Sequence, residues 1–226
     1  MTMNMFEQFM SPELLVIPTA LLSMLVPATL IYHKPKLLGN RMSTAISTLM
    51  KIIMHNMTNQ LSNNGQKWCK ILTSLLMMIL LSNLLGLLPY TFTSTSQLSM
   101  NMAMAIPLWM ATIITGVIKK PSDTLAHMLP EGSPLTLTPF MIIIETISLL
   151  MRPLALGVRL TANITAGHLL ITMVSTAALN SINTHISMSI VMWALLFLLS
   201  ILELAVACIQ AYVFVLLIIL YLQENT

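Results

Sequence analysis

The sequence predicts an all-α, polytopic membrane protein: about five transmembrane helices, one interfacial amphipathic helix, and two long, strongly tilted last helices that form an antiparallel hairpin. Three observations predict it. Hydrophobic residues make up 57% of the 226 residues and charged ones only 8%, with a mean hydropathy of +0.87, whereas a soluble domain is about one-quarter charged. Apolar runs long enough for spans of ~20 residues recur along the chain. Most of the ten Lys and Arg fall between those runs, where membrane proteins keep their cations. Residues 1–226 are thus expected to form a single integral membrane domain. No sizeable soluble domain fits beside the spans, so extramembrane chemistry belongs to partners and the chain is not an enzyme by itself.

The first span is expected over 12–32, with Ser11 and Pro12 as N-cap and first helical residue and with Pro18 and Pro27 inside it. Glu7 and Glu13 precede the apolar run, and no basic leader or small-residue cleavage site is present, so the segment reads as neither a secretory signal nor a transit peptide. Over 41–62, Met42, Ile46, Leu49, Ile53, Met57 and Leu61 recur at helical spacing, while Thr48, Lys51, His55 and Thr58 share the other side. That pattern predicts a helix lying along the interface. Asn63, Asn64 and Gly65 form a turn before span two at 68–88, which Pro89 ends, and span three follows at 98–118 with Pro107 inside.

Two longer helices are expected over 135–179 and 186–222, joined by the uncharged turn-forming stretch 180–184. The second would run ~55 Å at 1.5 Å per residue, against a hydrocarbon core of ~30 Å. Neither contains a central polar turn that would divide it, so strong tilt is the economical reading. Lys34, Lys36, Arg41, Lys51, Lys67 and Lys70 lie between spans one and two, and Lys119 and Lys120 between span three and the next helix. The positive-inside rule then puts the N-terminus outside and the C-terminus, after five crossings, inside.

The polar residues inside the apolar runs carry the functional signal. Arg159 opens the string RLTANITAGH at 159–168, and holding a guanidinium at bilayer depth costs at least ~2.5–3.5 kcal/mol. It cannot escape by losing its proton. In an antiparallel hairpin, facing residues have position numbers with a constant total, and Arg159 with Gln210 gives 369 where His168 with Glu203 gives 371. One register therefore serves both polar pairs. Glu145 lies ~21 Å from Arg159 along the helix toward the inside, and His168 ~13 Å toward the outside. At 100° per residue Asn163 is about 40° from Arg159 and His168 about 180°. A cation on one face, an imidazole and a carboxylate toward one surface, and another carboxylate toward the other suggest two offset proton paths.

Each of these residues also has a structural reading. Arg159 could pair with Glu203 or Glu145, either acid could merely neutralise an arginine, and His168 could be a hydrogen-bonded core imidazole. Asn163 and Gln210 could be interhelical glue, Arg152 a snorkelling or paired cation, and His33, His55, His127 and His185 bystanders. Ala155, Gly157, Ala162, Ala166, Gly167, Ala205, Ala207 and Ala211 permit close helix approach. Cys69 and Cys208 read as core filler, with no spacing for a disulfide or metal, and the net charge of +3 is too small and scattered for a nucleic-acid surface. A proton-coupled transporter and a non-conducting scaffold remain rival functions, although the duplicated half and broken helix pair of transporters are missing from the sequence.

The strings RLTANITAGH, IIETISLLMRP (143–153), ILELAVACIQAYVFVLL (201–217) and SNLLGLLP (82–89) are similar to subunit a of the F-type ATP synthases in its mitochondrial form, most specifically from residue 82 onward. The resemblance implies a proton-translocating stator subunit in the mitochondrial inner membrane, with its N-terminus in the intermembrane space and its C-terminus on the matrix side. Its partners would be the c-ring, other membrane stator subunits, protons, channel water and lipid, with no cofactor or metal. Arg159 would match the arginine that faces the ring, with Asn163 and Gln210 as its polar neighbours. Glu145 would match the acid of the inner half-channel, and His168 with Glu203 the outer half-channel pair. Bacterial members carry that acid and imidazole the other way round, and Gly86 stands where they have an acid within the last string.

Overall fold

The computed structural model of the chain describes residues 9–10, 12–14, 17–31, 41–60, 65–88, 91–119, 121–126, 137–182 and 186–224. Expectations for Lys34, Lys36, Lys120, His33, His127, His185, Asn63, Asn64, Pro89 and the ends of some segments lie outside these residues. Helix dominates: α1 (Thr19–Ile31), α2 (Arg41–Gln60), α3 (Cys69–Gly86), α4 (Leu98–Lys119), the short α5 (Pro121–Ala126), α6 (Thr138–Ile182) and α7 (Ile186–Glu224). Among the described residues four helical segments are long and apolar enough to cross a membrane, at Gly65–Gly86, Leu98–Lys119, Thr138–Ile182 and Ile186–Gln223. This is the polytopic all-α protein the composition predicts.

The expected first span begins later than its proline pattern suggests. Residues Glu13–Leu14 (β1) pair antiparallel with Ile17–Pro18 (β2), and helix starts only at Thr19, whose N–H donates to the Pro12 carbonyl at 3.4 Å. Pro18 explains the delay, because a proline lacks the N–H a helix interior needs and pushes the residue before it into extended backbone. At 13 residues, α1 is ~20 Å long.

Helix α2 matches the amphipathic segment and is not among the helices apolar enough to cross, while Ile46, Leu49 and Ile52 are exposed along it. It is tied down where the Cys69 thiol meets the Met54 carbonyl at 3.7 Å. Of the two long helices, α6 has the expected 45 residues but starts three residues later, and α7 starts at Ile186 as expected and runs two residues further, to 39; they are ~68 and ~58 Å long. Residues 180–182, read as part of a turn, complete α6 instead. Uncharged polar side chains are tolerated in a last helical turn, as when the Ser181 hydroxyl returns to the Ala178 carbonyl at 2.8 Å.

The chain divides into two compact units. The first comprises Met1–Ile31, Met77–Met100 and Arg159–Tyr212. In it the 3-10 turn Ser94–Ser96 is buried in part and touches α1, and Leu160, Ala178, Ala207 and Ala211 are buried. The second comprises Tyr32–Leu76, Asn101–Val158 and Val213–Thr226. Its core includes Leu72, Leu76, Trp109, Leu156, Phe214, Val215, Ile218, Ile219 and Leu222. The last five recur at steps of one, three or four, which is one face of a helix.

Small residues set the close approaches, as expected where helices pack by contact rather than by hydrophobic burial. In the second unit a Cβ on Gly157 would strike the Met102 sulfur and meet the backbone of Asn101. In the first, a Cβ on Gly86 would come within 2.9 Å of the Thr93 methyl. Gly86 is thus a packing position.

Candidate functional site

Within the first unit α6 and α7 run antiparallel, and their polar residues meet. His168 Nε2 lies 3.9 Å from Glu203 Oε1, the facing predicted by the shared register. That distance allows an ion pair or a bridging molecule but exceeds a direct hydrogen bond. Glu203 is 8% exposed, and both its carboxylate oxygens are buried with no hydrogen-bond partner among the described residues. An unsatisfied buried carboxylate is expensive. Its retention at the heart of the unit points to use rather than stability.

Two neighbours make that arrangement possible. A Cβ on Gly167 would stand 2.7 Å from Glu203 Oε1 and 3.1 Å from its Cδ, so hydrogen at this position is what leaves space for the carboxyl group. Asn83 on α3 donates its Nδ2 to the Ala207 carbonyl at 3.4 Å, and its Oδ1 is buried with no partner among the described residues. Asn83, Asn163, His168, Glu203 and Gln210, with Leu87, Ile164, Val206 and Ala207, line a cavity of about 20 Å³. A cavity of that size, with five polar residues in its lining, holds about one water.

Gln210 pairs differently from the simplest register. Its Oε1 accepts from Asn163 Nδ2 at 2.8 Å, so its partner lies one turn beyond Arg159 on α6. The totals for the two observed pairs are 373 and 371, still one register. Arg159 itself is exposed, and among the described residues nothing forms an ion pair or hydrogen bond with it. The possible pairing of Arg159 with Glu203 is not found: the ionic neighbour of Glu203 is His168.

In the second unit Glu145 Oε1 lies 3.7 Å from Arg152 Nη2, and the Arg152 guanidinium carbon sits 5.1 Å from the centre of the Tyr221 ring. Arg152 is therefore a paired cation, one of the structural readings open for it. Cys69 is buried and Cys208 half-buried, both free.

Sequence reasoning missed Asn83 and Tyr221. Asn83 carries the signal any lone amide in an apolar helix carries, but the string around it directed attention to Gly86. Tyr221 offers no such signal, because an aromatic near a helix end is ordinary in a membrane protein.

The family described as ATP synthase A chain matches residues 14–223. The protein named ATP synthase F(0) complex subunit a of Lycodon semicarinatus is 84% identical over 226 residues, covering all of both chains. Proteins of the same name from Struthio camelus and Xenopus laevis are 57% and 53% identical, again over the full length of both chains.

Proposed function

This chain belongs to the ATP synthase A chain family, and on that premise we propose that it is the proton-translocating stator subunit of an F-type ATP synthase, built around Arg159 between two half-channels. The single observation that carries the reading is a contrast within one unit. His168 and Glu203 share a cavity with three amide side chains, while Arg159, nine residues along the same helix, is exposed and has no ionic or hydrogen-bond partner among the described residues. A lone guanidinium on an apolar helix needs an anionic counterpart, and the carboxylates of a c-ring are the counterpart proposed here.

The outer half-channel uses His168, Glu203 and the cavity they share with Asn83. Protons arriving there meet a carboxylate whose oxygens have no hydrogen-bond donor among the described residues and an imidazole able to relay them. Glu145 serves the inner half-channel. Asn163 and Gln210, bonded to each other, form the wall between the cavity and Arg159. A ring carboxyl is neutral while it faces lipid, because desolvation penalises the charge, and beside Arg159 the ionised form is favoured. The ionised group cannot re-enter lipid until a proton reaches it from the other half-channel, so rotation is coupled to transfer. Each charge carried through 100 mV supplies ~2.3 kcal/mol.

The chain works in the mitochondrial inner membrane beside the c-ring, other membrane stator subunits and lipid, with its N-terminus in the intermembrane space and its C-terminus on the matrix side. It is not an enzyme by itself. The exposed apolar side chains of α7, among them Ile190, Phe197, Leu198, Ile201 and Leu204, suit contact with lipid or ring. The test is proton-driven ATP synthesis in the assembled complex carrying Arg159→Gln. Loss of synthesis with normal assembly is expected; a wild-type rate overturns the reading.

A further inference from the structure

The Glu145, Arg152 and Tyr221 cluster in the second unit is not used by the coupling scheme above, beyond the acid itself. Glu145 and Arg152 are seven residues apart on α6, two helical turns and ~10.5 Å along the axis. Ion pairs along a helix form most readily at spacings of three or four. At seven, both side chains must extend toward each other, and something must aim the longer one. Tyr221 on α7 does so: its ring lies 5.1 Å from the Arg152 guanidinium carbon, within cation–π range.

The two ionic side chains are 32% and 35% exposed on the chain itself, so the pair lies at the surface of the unit rather than in its core. Their separation of 3.7 Å is longer than a hydrogen bond, and the Glu145 carboxylate is therefore oriented without being saturated.

We propose that Arg152, braced on the Tyr221 ring, is a positioning residue that holds the Glu145 carboxylate in place for proton exchange on the inner side. This rests on the reading of Glu145 as the inner half-channel acid. Arg152 relays no proton itself, since a guanidinium does not give its proton up. Tyr221 acts through its ring face rather than its hydroxyl.

The test is proton flux through the assembled complex in native membranes, normalised to the amount of assembled complex, for Arg152→Gln, Arg152→Lys, Tyr221→Phe, Tyr221→Leu, Glu145→Gln and the double variant Glu145→Gln with Arg152→Gln. Misplacing a reacting group by about 1 Å can cost ~100-fold in rate, and a drop of about 10-fold is expected for Arg152→Gln. Tyr221→Phe, which keeps the ring, should stay within about 2-fold of wild type, with Tyr221→Leu clearly lower, and Arg152→Lys, which keeps the charge but not the planar guanidinium, should fall between wild type and Arg152→Gln. The double variant should be no worse than Glu145→Gln alone, as coupled sites require. Wild-type flux in Arg152→Gln, or a further loss when it is added to Glu145→Gln, overturns the positioning role. Wild-type flux in Glu145→Gln overturns the inner-channel assignment instead, so the two failures are distinct.

Discussion

Gly167 and Glu203 meet across the α6–α7 hairpin so closely that a Cβ on the glycine would lie 2.7 Å from the carboxylate oxygen. The carboxyl group is the end of a flexible side chain, so Gly167→Ala should displace it rather than unfold the hairpin. The displaced acid would leave its place opposite His168. Proton flux is expected to fall about 10-fold or more, on the scale of a misplaced reacting group, with assembly preserved. Flux measured in membranes containing Gly167→Ala complexes checks this.

His168 and Glu203 face each other at 3.9 Å from opposite helices, so their order matters less than their presence as a pair. Either single exchange, His168→Glu or Glu203→His, should lower proton-driven synthesis sharply, since it places two like groups together. The double exchange should recover a substantial part. Synthesis rates across the four proteins decide it, and a double variant as poor as the singles would count against the pair.

The hydrogen bond from Asn163 to Gln210, 2.8 Å long, joins α6 to α7 next to Arg159. Interhelical hydrogen bonds inside membranes have coupling energies near 0.6 kcal/mol and at most ~1.7. Alanine at both positions should therefore cost less than the two singles together, by about that amount, in a double-mutant cycle on unfolding or dissociation of the complex. Strict additivity would mean that the bond contributes nothing.

Asn83 lends an unsatisfied oxygen to the cavity of His168 and Glu203. Replacing it with Leu, of similar size but without polar atoms, should remove one of the few partners a water there can have. Proton flux is expected to drop several-fold, as loss of one orienting contact implies, with synthesis and flux falling in parallel. Asp at the same position should retain more flux than Leu.

Much of this site was legible because polar residues are so costly in lipid that each one stands out. Arg159, Glu145, His168 and Glu203 could be picked from an apolar background by type alone, and the constant total of facing positions predicted which helix faces which. Where the reading fell short, the missing information was three-dimensional. Gln210 bonds Asn163, where a register set at the loop pairs it with Arg159, because an offset of one turn accumulates along a hairpin. Asn83 reaches the cavity from α3, a helix whose placement no spacing rule could supply. Near the N-terminus, Pro18 falls inside the expected first span, whereas its missing N–H makes it the boundary.

The central claim is that Arg159 keeps two half-channels apart, so that protons cross only by riding the ring. The most direct measurement is proton permeation through vesicles holding the whole complex, with the ring immobilised by a crosslink to a stator subunit. Wild-type complexes should then pass no protons under an imposed potential, and Arg159→Ala complexes should leak. Proton flow through the wild type with a stationary ring would contradict the account.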